Sequence, residues 1–156
     1  MIPMRRALDE AANAARHGEV PVGAVITDQH GLVLAAAGNA VEARRDPTAH
    51  AEILALHEAA TRLGEKYLQG CTITVTLEPC PLCAAAISLF RIKHLVFGAY
   101  DPKSGGVVHG PRVFDHATCH HKPAVTGGVE ESESAALLKG FFRSRRDRGG
   151  SAFTLD

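Results

Sequence analysis

The segment CTITVTLEPCPLC, residues 71–83, joins a strand pattern directly to a helix start. Threonine alternates with apolar side chains over 71–77, which predicts a strand. Pro81 stands at the start of a helix predicted over 82–91, where its fixed backbone angle suits the helix and its missing N–H costs nothing. Cys80 and Cys83 lie three positions apart on the first turn, so their sulfur atoms project to the same side. The positive end of the helix there favours thiolate over thiol.

Strands and helices alternate on both sides of this segment. Apolar patterning and flanking turn residues predict further strands at 20–27, 32–37, 94–99 and 125–128. A turn at 28–31 makes the first two strands a hairpin. Helices are predicted at residues 4–17, 46–63 and 131–146. Gly18 and Gly64 end the first two helices, and Asp46 (N-cap) and Pro47 (first helical residue) begin the second. This alternation predicts an α/β fold built from layers.

Two stretches are predicted to lack regular structure. Residues 42–46 form a polar loop between a strand and a helix. Residues 101–122 form a long irregular loop, and its glycine and proline content indicates a functional segment with few regular hydrogen bonds.

Length and composition limit the class of protein. A chain of 156 residues, 46% of them hydrophobic, suits one domain, which we expect at 1–148, with a disordered tail at 149–156. The sequence contains no run of about 18 apolar residues, so we predict no membrane span. Arg5 and Arg6 are not followed by the apolar segment of a secretory signal. Four cysteines, two of them in a Cys-x-x-Cys pair, fit a reducing compartment, so we expect a cytoplasmic protein.

The charge distribution gives two opposite indications about nucleic acid. The formal net charge is zero, which argues against a phosphate-rich partner. However, cationic side chains cluster near the C-terminus, at Arg143, Arg145, Arg146 and Arg148. They are either a phosphate-binding end or a solvated helix end whose cations suit the helix dipole.

Four side chains predict a catalytic metal site. His50, Cys80 and Cys83 are three soft zinc ligands, and a three-ligand zinc site is typical of catalytic rather than structural zinc. Glu52 lies two residues beyond His50 and is a candidate proton carrier. On an ideal helix these two side chains diverge by about 200°. Glu52 should therefore approach the site from a different direction than a ligand would.

Three alternatives to a catalytic zinc remain. A structural zinc would need a fourth ligand. Cys71 would lie roughly 20 Å away at the far end of its strand, but Cys119 or a histidine of the 101–122 loop is a candidate. Cys-Pro-Leu-Cys at a helix start also fits a thioredoxin-like redox pair, although that leaves His50 and Glu52 without a role. The third alternative is that Cys80 and Cys83 are simply buried free cysteines.

Several other residues have a purely structural interpretation as well as a functional one. We expect His57 on the surface and Cys71 and Cys119 to be unreactive thiols. His120 and His121 either face solvent or touch substrate, and the role of His109 is open. The apolar helix segment 84–90 has almost no polar face, so it should lie in the core or at a subunit contact, which favours a dimer.

The quoted residues resemble the bacterial tRNA-specific adenosine deaminases, whose superfamily signature is His-x-Glu followed by Pro-Cys-x-x-Cys. The resemblance covers nearly the whole chain. Its matching segments are 19–25 (EVPVGAV), Asn39, 46–52 (DPTAHAE), 75–80 (VTLEPC), 91–92 (RI), 96–99 (VFGA), 101–103 (DPK) and 141–146 (FFRSRR). The zinc motif marks only the superfamily, whereas 46–52 and the terminal segment 141–146 are much more specific to the tRNA branch.

The resemblance implies a fold, a reaction and a set of roles. The fold would be a cytidine deaminase-like three-layer α/β/α sandwich around a five-stranded mixed sheet, assembled as a homodimer. The reaction would be hydrolytic deamination of the wobble adenosine of a tRNA anticodon stem-loop to inosine, with one Zn²⁺ per subunit held by His50, Cys80 and Cys83. Glu52 would shuttle protons. The residues implied to contact substrate are Asn39, Asp101, Lys103, Phe142, Arg143 and Arg146.

The sequence departs from the common family pattern at three places. Leu82 stands where Met is frequent, and Ala85 stands where Gly is frequent. Residues 104–110 (SGGVVHG) replace the usual glycine–alanine-rich segment after Lys103. These differences affect packing and a substrate loop rather than the zinc chemistry. A deaminase of a free nucleobase or nucleoside, such as guanine or cytosine, is the alternative that the neutral net charge keeps open.

Overall fold

A five-stranded mixed sheet forms the middle layer of the fold. The structure is a computed structural model and describes residues 2–147, without the side chain of residue 147. The strands are β1 (Gly23–Thr27), β2 (Val33–Gly38), β3 (Thr72–Leu77), β4 (His94–Ala99) and β5 (Ala124–Thr126). The helices are α1 (Ile2–Arg16), α2 (Val41–Arg44), α3 (Ala51–Leu63), α4 (Pro81–Leu89) and α5 (Glu131–Asp147).

Strand order brings the ends of four strands to one edge of the sheet. The order is β2-β1-β3-β4-β5, with β1 antiparallel to both β2 and β3, and with β3, β4 and β5 mutually parallel. Leu77 pairs with Ala99, so the carboxyl ends of β3 and β4 lie side by side. Gly23 pairs with Gly38, which places the start of β1 and the end of β2 at the same edge. The segments that follow or precede these residues therefore converge there.

Helices cover both faces of the sheet. The larger core lies under α3 and α4 and contains Leu56, Ile87, Ile73 and Phe97, all without solvent exposure. The smaller core lies under α1 and includes Met4 and Leu8 against Val25 and Val96, with Leu137 of α5 packed at its margin. The three-layer α/β/α sandwich with a five-stranded mixed sheet is confirmed.

Most of the predicted elements are confirmed, with the largest error at the start of α3. The predicted helix at 46–63 begins at Ala51, because Asp46 accepts hydrogen bonds from the Thr48 N–H and hydroxyl at 2.8 and 2.7 Å and closes a turn instead. His50 is the N-cap, with extended backbone angles. Gly64 ends the helix in the left-handed conformation, as predicted.

Two smaller predictions were also wrong. The predicted strand at 20–27 begins only at Gly23, because the Val22 N–H donates to the Val20 carbonyl at 2.8 Å and leaves the strand geometry. The predicted loop at 42–46 contains the short helix α2, whose first N–H groups at Glu42 and Ala43 donate to the carboxylate of Glu19 at 2.9 and 2.8 Å.

The long loop at 101–122 is confirmed as irregular, apart from one turn of 3₁₀ helix at Val113–Asp115. Among residues 2–147, no helix is long and apolar enough to cross a bilayer. The tail predicted at 149–156 lies outside the described residues.

Candidate active site

Two helix starts meet at the carboxyl edge of β3 and carry three candidate metal ligands. His50 is the N-cap of α3 and Cys80 is the N-cap of α4, while Cys83 lies in the first turn of α4. The Nδ1 atom of His50 lies 3.3 Å from the Cys83 sulfur and 3.5 Å from the Cys80 sulfur. All three ligand atoms lie within 4.8 Å of one another. The structure therefore brings together the three residues that the sequence predicted as ligands.

The spacing of these atoms fits a tetrahedral zinc. Bond lengths of about 2.3 Å to sulfur and about 2.0 Å to nitrogen place tetrahedral nitrogen and sulfur ligands roughly 3.5 Å apart. Over residues 2–147, no fourth histidine, cysteine, aspartate or glutamate joins the group, so neither Cys71 nor Cys119 completes a structural four-ligand site. The imidazole beside both sulfur atoms also distinguishes this site from a simple Cys-x-x-Cys redox pair. Two thiolates and a neutral imidazole balance a +2 charge.

Hydrogen bonding between the two thiols makes them chemically unequal. The Cys83 thiol donates to Cys80, and this bond, with help from His50, lowers the pKa of Cys80 to about 4 against the opposing effect of burial. The same bond to Cys80, together with burial, raises the pKa of Cys83. The hydrogen bond that protonated His50 donates to the Cys80 sulfur raises the pKa of His50. A coordinated metal deprotonates its thiol ligands outright, so both sulfur atoms would bind as thiolates.

Glu52 is buried beside the three ligands on the second residue of α3. Only 4% of the residue is exposed. Burial, together with the nearby Cys80 thiolate, raises the pKa of Glu52 to about 7. His50 precedes the first residue of α3, so the predicted divergence of His50 and Glu52 as two residues of one helix was wrong. Both side chains nevertheless line the same cavity.

A cavity of about 190 Å³ opens next to these residues. Its walls come from the segment before β1, the end of β2, the starts of α2, α3 and α4, and the loop after β4. The lining residues are Glu19, Val20, Val22, Asn39, Val41, Glu42, His50, Glu52, Leu77, Glu78, Cys80, Asp101 and Ser104. The cavity combines apolar side chains (Val20, Val22, Val41 and Leu77) with polar groups, as small-molecule and base-binding pockets do.

Asn39 connects the cavity wall to the start of α3. Its side-chain oxygen accepts the Ala51 N–H at 2.8 Å, so Asn39 supplies the helix cap that the sequence assigned to Asp46. Because the oxygen is committed to this bond, the amide NH₂ is the group that Asn39 can offer to a ligand.

The predicted substrate residues beyond Asn39 divide into two groups. Asp101 is buried and lines the cavity, and its carboxylate accepts the Lys103 and Ser104 N–H groups at 3.2 and 3.0 Å. Lys103 is exposed and does not line the cavity; its backbone N–H is what contacts Asp101. The positions on α5, namely Phe142, Arg143 and Arg146, also lie outside the cavity, with both arginines exposed.

Arg145 differs from its basic neighbours. Its guanidinium donates to the Gly18 carbonyl and lies 4.8 Å from the centre of the Phe141 ring. Arg145 therefore joins α5 to the end of α1, and the cationic cluster predicted from sequence is not a uniform surface.

Sequence reasoning missed two buried carboxylates. Glu19, 3% exposed, holds the start of α2 at the cavity, and Glu78 binds the loop after β4. The only signal in the sequence was an acidic residue next to an apolar run at each position. Their partners are backbone N–H groups, which a sequence does not distinguish from one another.

The other histidines considered from the sequence are His57, His109, His120 and His121. His57 is exposed as predicted, with its ring 5.9 Å from that of Phe90. His121 bonds the Ile92 carbonyl at 2.6 Å, and His120 is exposed. His109 bonds the Glu78 carboxylate at 2.8 Å.

Helix α4 is buried on one face only. Ala84 and Ile87 have no solvent exposure, whereas Leu82 and Leu89 are 44% and 74% exposed. Residues 2–147 of one chain therefore do not cover this helix on all sides, contrary to the prediction for a helix in the core.

Comparison with known proteins gives matches over most of the chain. Residues 3–99 match the cytidine and deoxycytidylate deaminase zinc-binding region. The tRNA-specific adenosine deaminase of Agrobacterium fabrum (strain C58) is 50% identical over 143 residues, which is 92% of this chain and 93% of that protein. The tRNA-specific adenosine deaminase of Bacillus subtilis (strain 168) is 41% identical over 149 residues, covering 96% and 92%.

Solved structures give the same relationship. A structure from studies of A-to-I editing by tRNA:A34 deaminases at the wobble position of transfer RNA aligns with a TM-score of 0.86 and 49% identity, over 88% of this chain and 99% of that chain. A guanine deaminase from Nitrosomonas europaea aligns with a TM-score of 0.77 and 24% identity, over 89% and 82%, which shows a shared fold.

Proposed function

This chain belongs to the tRNA-specific adenosine deaminases, within the cytidine and deoxycytidylate deaminase zinc-binding family, and we propose that it hydrolyses the wobble adenosine of a tRNA anticodon to inosine. The observation that carries the proposal is the His50, Cys80 and Cys83 cluster with buried Glu52 beside it, in a chain half identical to a named member. The resident metal is one Zn²⁺ per chain.

The reaction exchanges an amino group for an oxygen. The oxygen of water forms a bond to C6 of adenine, the C6–N6 bond breaks, and ammonia leaves. Zinc, when held by His50, Cys80 and Cys83, supplies the Lewis acid that lowers the pKa of water toward neutrality.

The chain's own residues move the protons and hold the base. Glu52 accepts one proton of the attacking water and delivers it to the adjacent ring nitrogen. It then accepts the second proton from the new C6 hydroxyl and passes it to the amino group, which leaves as ammonia. Its burial keeps bulk water away from these transfers. The Asn39 amide NH₂ donates a hydrogen bond to the base, because its oxygen is fixed by the Ala51 N–H. The apolar side chains of Val20, Val22 and Leu77 receive the ring faces.

The RNA surface extends beyond the cavity. An anticodon base must leave its stack to reach Glu52, which a single-stranded loop permits at low cost. Asp101 borders the nucleotide at the cavity mouth, and Lys103 lies on the same loop. On α5, Phe142 offers a stacking surface, and exposed Arg143 and Arg146 contact phosphates. Arg145 is excluded from that set because its guanidinium is committed to Gly18.

The same proposal includes a homodimer in the cytoplasm, where its tRNA substrate is found. Leu82 and Leu89 expose an apolar face on α4, and burying such a face against a second chain removes it from water. Sedimentation velocity of the wild type against a Leu89→Glu variant tests the assembly. A dimer that becomes a monomer in the variant supports it, and a wild type that sediments as a monomer contradicts it.

Activity is tested by comparing substrates. Zinc-loaded protein is incubated with an anticodon stem-loop carrying A34, with the same loop carrying G34, and with free adenosine, guanine and cytosine. We expect inosine in the first RNA only. Ammonia from a free base without inosine in RNA would overturn the tRNA assignment. That alternative is not favoured, since identity to the tRNA-specific relatives is about twice that to the guanine deaminase.

A further inference from the structure

Glu78 is a buried carboxylate with no part in the reaction described above. It follows β3 directly and lies two residues before Cys80, and its side chain has no solvent exposure. A buried carboxylate is costly unless its oxygen atoms accept hydrogen bonds. Glu78 therefore needs an explanation that the zinc ligands and Glu52 do not provide.

Within residues 2–147, five hydrogen-bond donors from residues 101–109 reach the Glu78 carboxylate. One oxygen accepts the Asp101 N–H at 3.1 Å and the His109 Nδ1–H at 2.8 Å. The other oxygen accepts three consecutive backbone N–H groups at 3.0–3.2 Å, from Val107, Val108 and His109. Four backbone N–H groups of the loop after β4 thus donate their hydrogen bonds to one side chain instead of to a neighbouring strand.

The middle of this loop lies directly against the start of α4. A Cβ atom on Gly106 would stand 2.6 Å from the Pro81 nitrogen, and one on Gly105 would collide with the Glu78 carboxylate. The Gly106 N–H also donates to the Pro79 carbonyl at 2.8 Å. Only glycine allows the backbone to approach this closely.

The anchored loop forms one wall of the cavity. Asp101 and Ser104 line it, and the Asp101 carboxylate holds the turn between them through the Lys103 and Ser104 N–H groups. Glu78 fixes Asp101 at one end of this turn and residues 107–109 at the other. The same short segment, 77–83, therefore carries both the sulfur ligands and the anchor of the loop.

We propose that Glu78 is a positioning residue that holds loop 101–110 in the shape that binds the anticodon, with His109 as its side-chain partner. The proposal deepens the proposed function and rests on it. Loss of the anchor should weaken RNA binding more than the chemical step, because Glu52 and the three ligands lie on α3 and α4 and not on the loop.

The test is the Glu78→Gln variant with zinc loaded. Gln keeps the size of the side chain but replaces one acceptor by an NH₂ donor, which must face backbone N–H groups. We expect the KM for the A34 stem-loop to rise by about tenfold or more, with kcat changed by less than about threefold. Zinc content should equal that of the wild type. An unchanged KM, or a fall in kcat alone, would overturn the proposal.

Two further variants separate positioning from general stability. Asp28→Asn alters a carboxylate that accepts the His30 and Leu32 N–H groups in the β1–β2 turn, at the opposite edge of the sheet. We expect it to lower the midpoint of thermal unfolding without changing KM. His109→Ala removes one of the five donors to Glu78, and we expect a rise in KM of roughly two- to fivefold. If Asp28→Asn raises KM as much as Glu78→Gln does, the effect is merely structural and the proposal fails.

Hydrogen exchange gives a readout that needs no activity. In Glu78→Gln we expect the amides of Val107, Val108 and His109 to exchange at least about tenfold faster than in the wild type, with the amides of β3 unchanged. Equal exchange in the two proteins would overturn the anchoring role. This outcome is distinct from failure of the proposed function, which would show as absence of inosine with the wild type while exchange still reports on the loop.

Discussion

The proposed metal centre (His50, Cys80 and Cys83, with Glu52 beside them) and the basic face of α5 (Arg143 and Arg146) are held in very different ways. The three proposed metal ligands lie at helix starts that meet at the edge of the sheet, and Glu52 is buried beside them. The two arginines extend from an exposed helix surface. A site whose groups are held by the surrounding structure should lose its activity when a single atom is replaced. Removing an exposed charge should change only the affinity for RNA. Substitutions in the two regions should therefore differ by orders of magnitude.

The largest effect should come from removing a metal ligand. Cys83→Ser replaces a buried sulfur that lies 3.3 Å from His50, and we expect zinc content and inosine formation to fall together below detection. Chelation of the wild type should do the same, and added Zn²⁺ should restore activity to the chelated wild type but not to the variant. Full activity in metal-free protein would show that the reaction does not depend on the metal. It would contradict the expected difference between the metal site and the basic face of α5.

Glu52→Gln should separate proton transfer from metal binding. The amide keeps the shape of the buried side chain but cannot carry a proton, so kcat should fall by about 10²–10⁴-fold. Zinc content should stay at the wild-type level, as measured by atomic absorption. Retained activity with zinc bound would remove Glu52 from the mechanism.

Asn39 has two proposed roles, as the cap on α3 and as a hydrogen-bond donor to the base, and two substitutions separate these roles. Asn39→Ala loses the cap on α3 and the donor to the base, so we expect a loss of about 1 kcal/mol in the free energy of unfolding and a fall in kcat/KM. Asn39→Asp keeps the acceptor for the Ala51 N–H at 2.8 Å but loses the donor. It should retain stability while kcat/KM falls by about tenfold. Equal kcat/KM for Asn39→Asp and the wild type would remove the contact with the base.

The basic face of α5 should give a salt-dependent effect on binding. Neutralising Arg143 and Arg146 to Gln should lower the slope of log Kd against log salt by roughly 0.7–0.9 for each lost phosphate contact, with kcat unchanged. Arg145→Gln is the matched control, because this guanidinium is committed to Gly18 and packs on Phe141. It should lower stability and leave the slope alone. An unchanged slope in the double variant would mean that Arg143 and Arg146 are a solvated helix end.

The smallest effect should come from an ion pair between α1 and α5. Both Arg5 guanidinium nitrogens reach the Glu133 carboxylate, at 2.7 and 3.0 Å, and this bond holds the pKa of Glu133 below its ordinary value. Glu133 is ionised at neutral pH, so the wild type should be slightly more stable there than Glu133→Gln. The difference should begin to shrink as the pH falls toward about 4.3, the ordinary pKa of glutamate. It should vanish only below the lower pKa of the folded state, where the carboxyl is protonated in both states. Chemical denaturation across this range measures it; a difference that grows on acidification would contradict the sign.

The parts of this site that could be predicted from the sequence are those set by the spacing of residues within one short segment. Cys80 and Cys83 sit on one helix turn, and an alternating pattern precedes them, so β3, α4 and the paired thiols followed from a single segment. The start of α3 could not be predicted in the same way. Asp46-Pro47 is a good helix start in isolation, but the cap on Ala51 comes from Asn39, which a different strand end delivers.

The anchors of the cavity were hidden for a related reason. Glu19 and Glu78 bind backbone N–H groups that lie more than 20 residues away along the chain. Any residue except proline offers such a donor, so no residue type marks the partner. The arginines of α5 show the same limit, since the contacts of Arg145 with Gly18 and Phe141 distinguish it from Arg143 and Arg146 and leave no mark in the sequence.

X-ray absorption at the zinc edge tests the central claim most directly, because it counts the ligands of the metal in the purified protein. Two sulfur atoms at about 2.3 Å, one imidazole nitrogen at about 2.0 Å and one further light atom that does not come from the protein are predicted from Cys80, Cys83 and His50. The Glu52→Gln variant should give the same spectrum. A third sulfur, a second imidazole or no bound zinc would contradict a three-ligand catalytic centre.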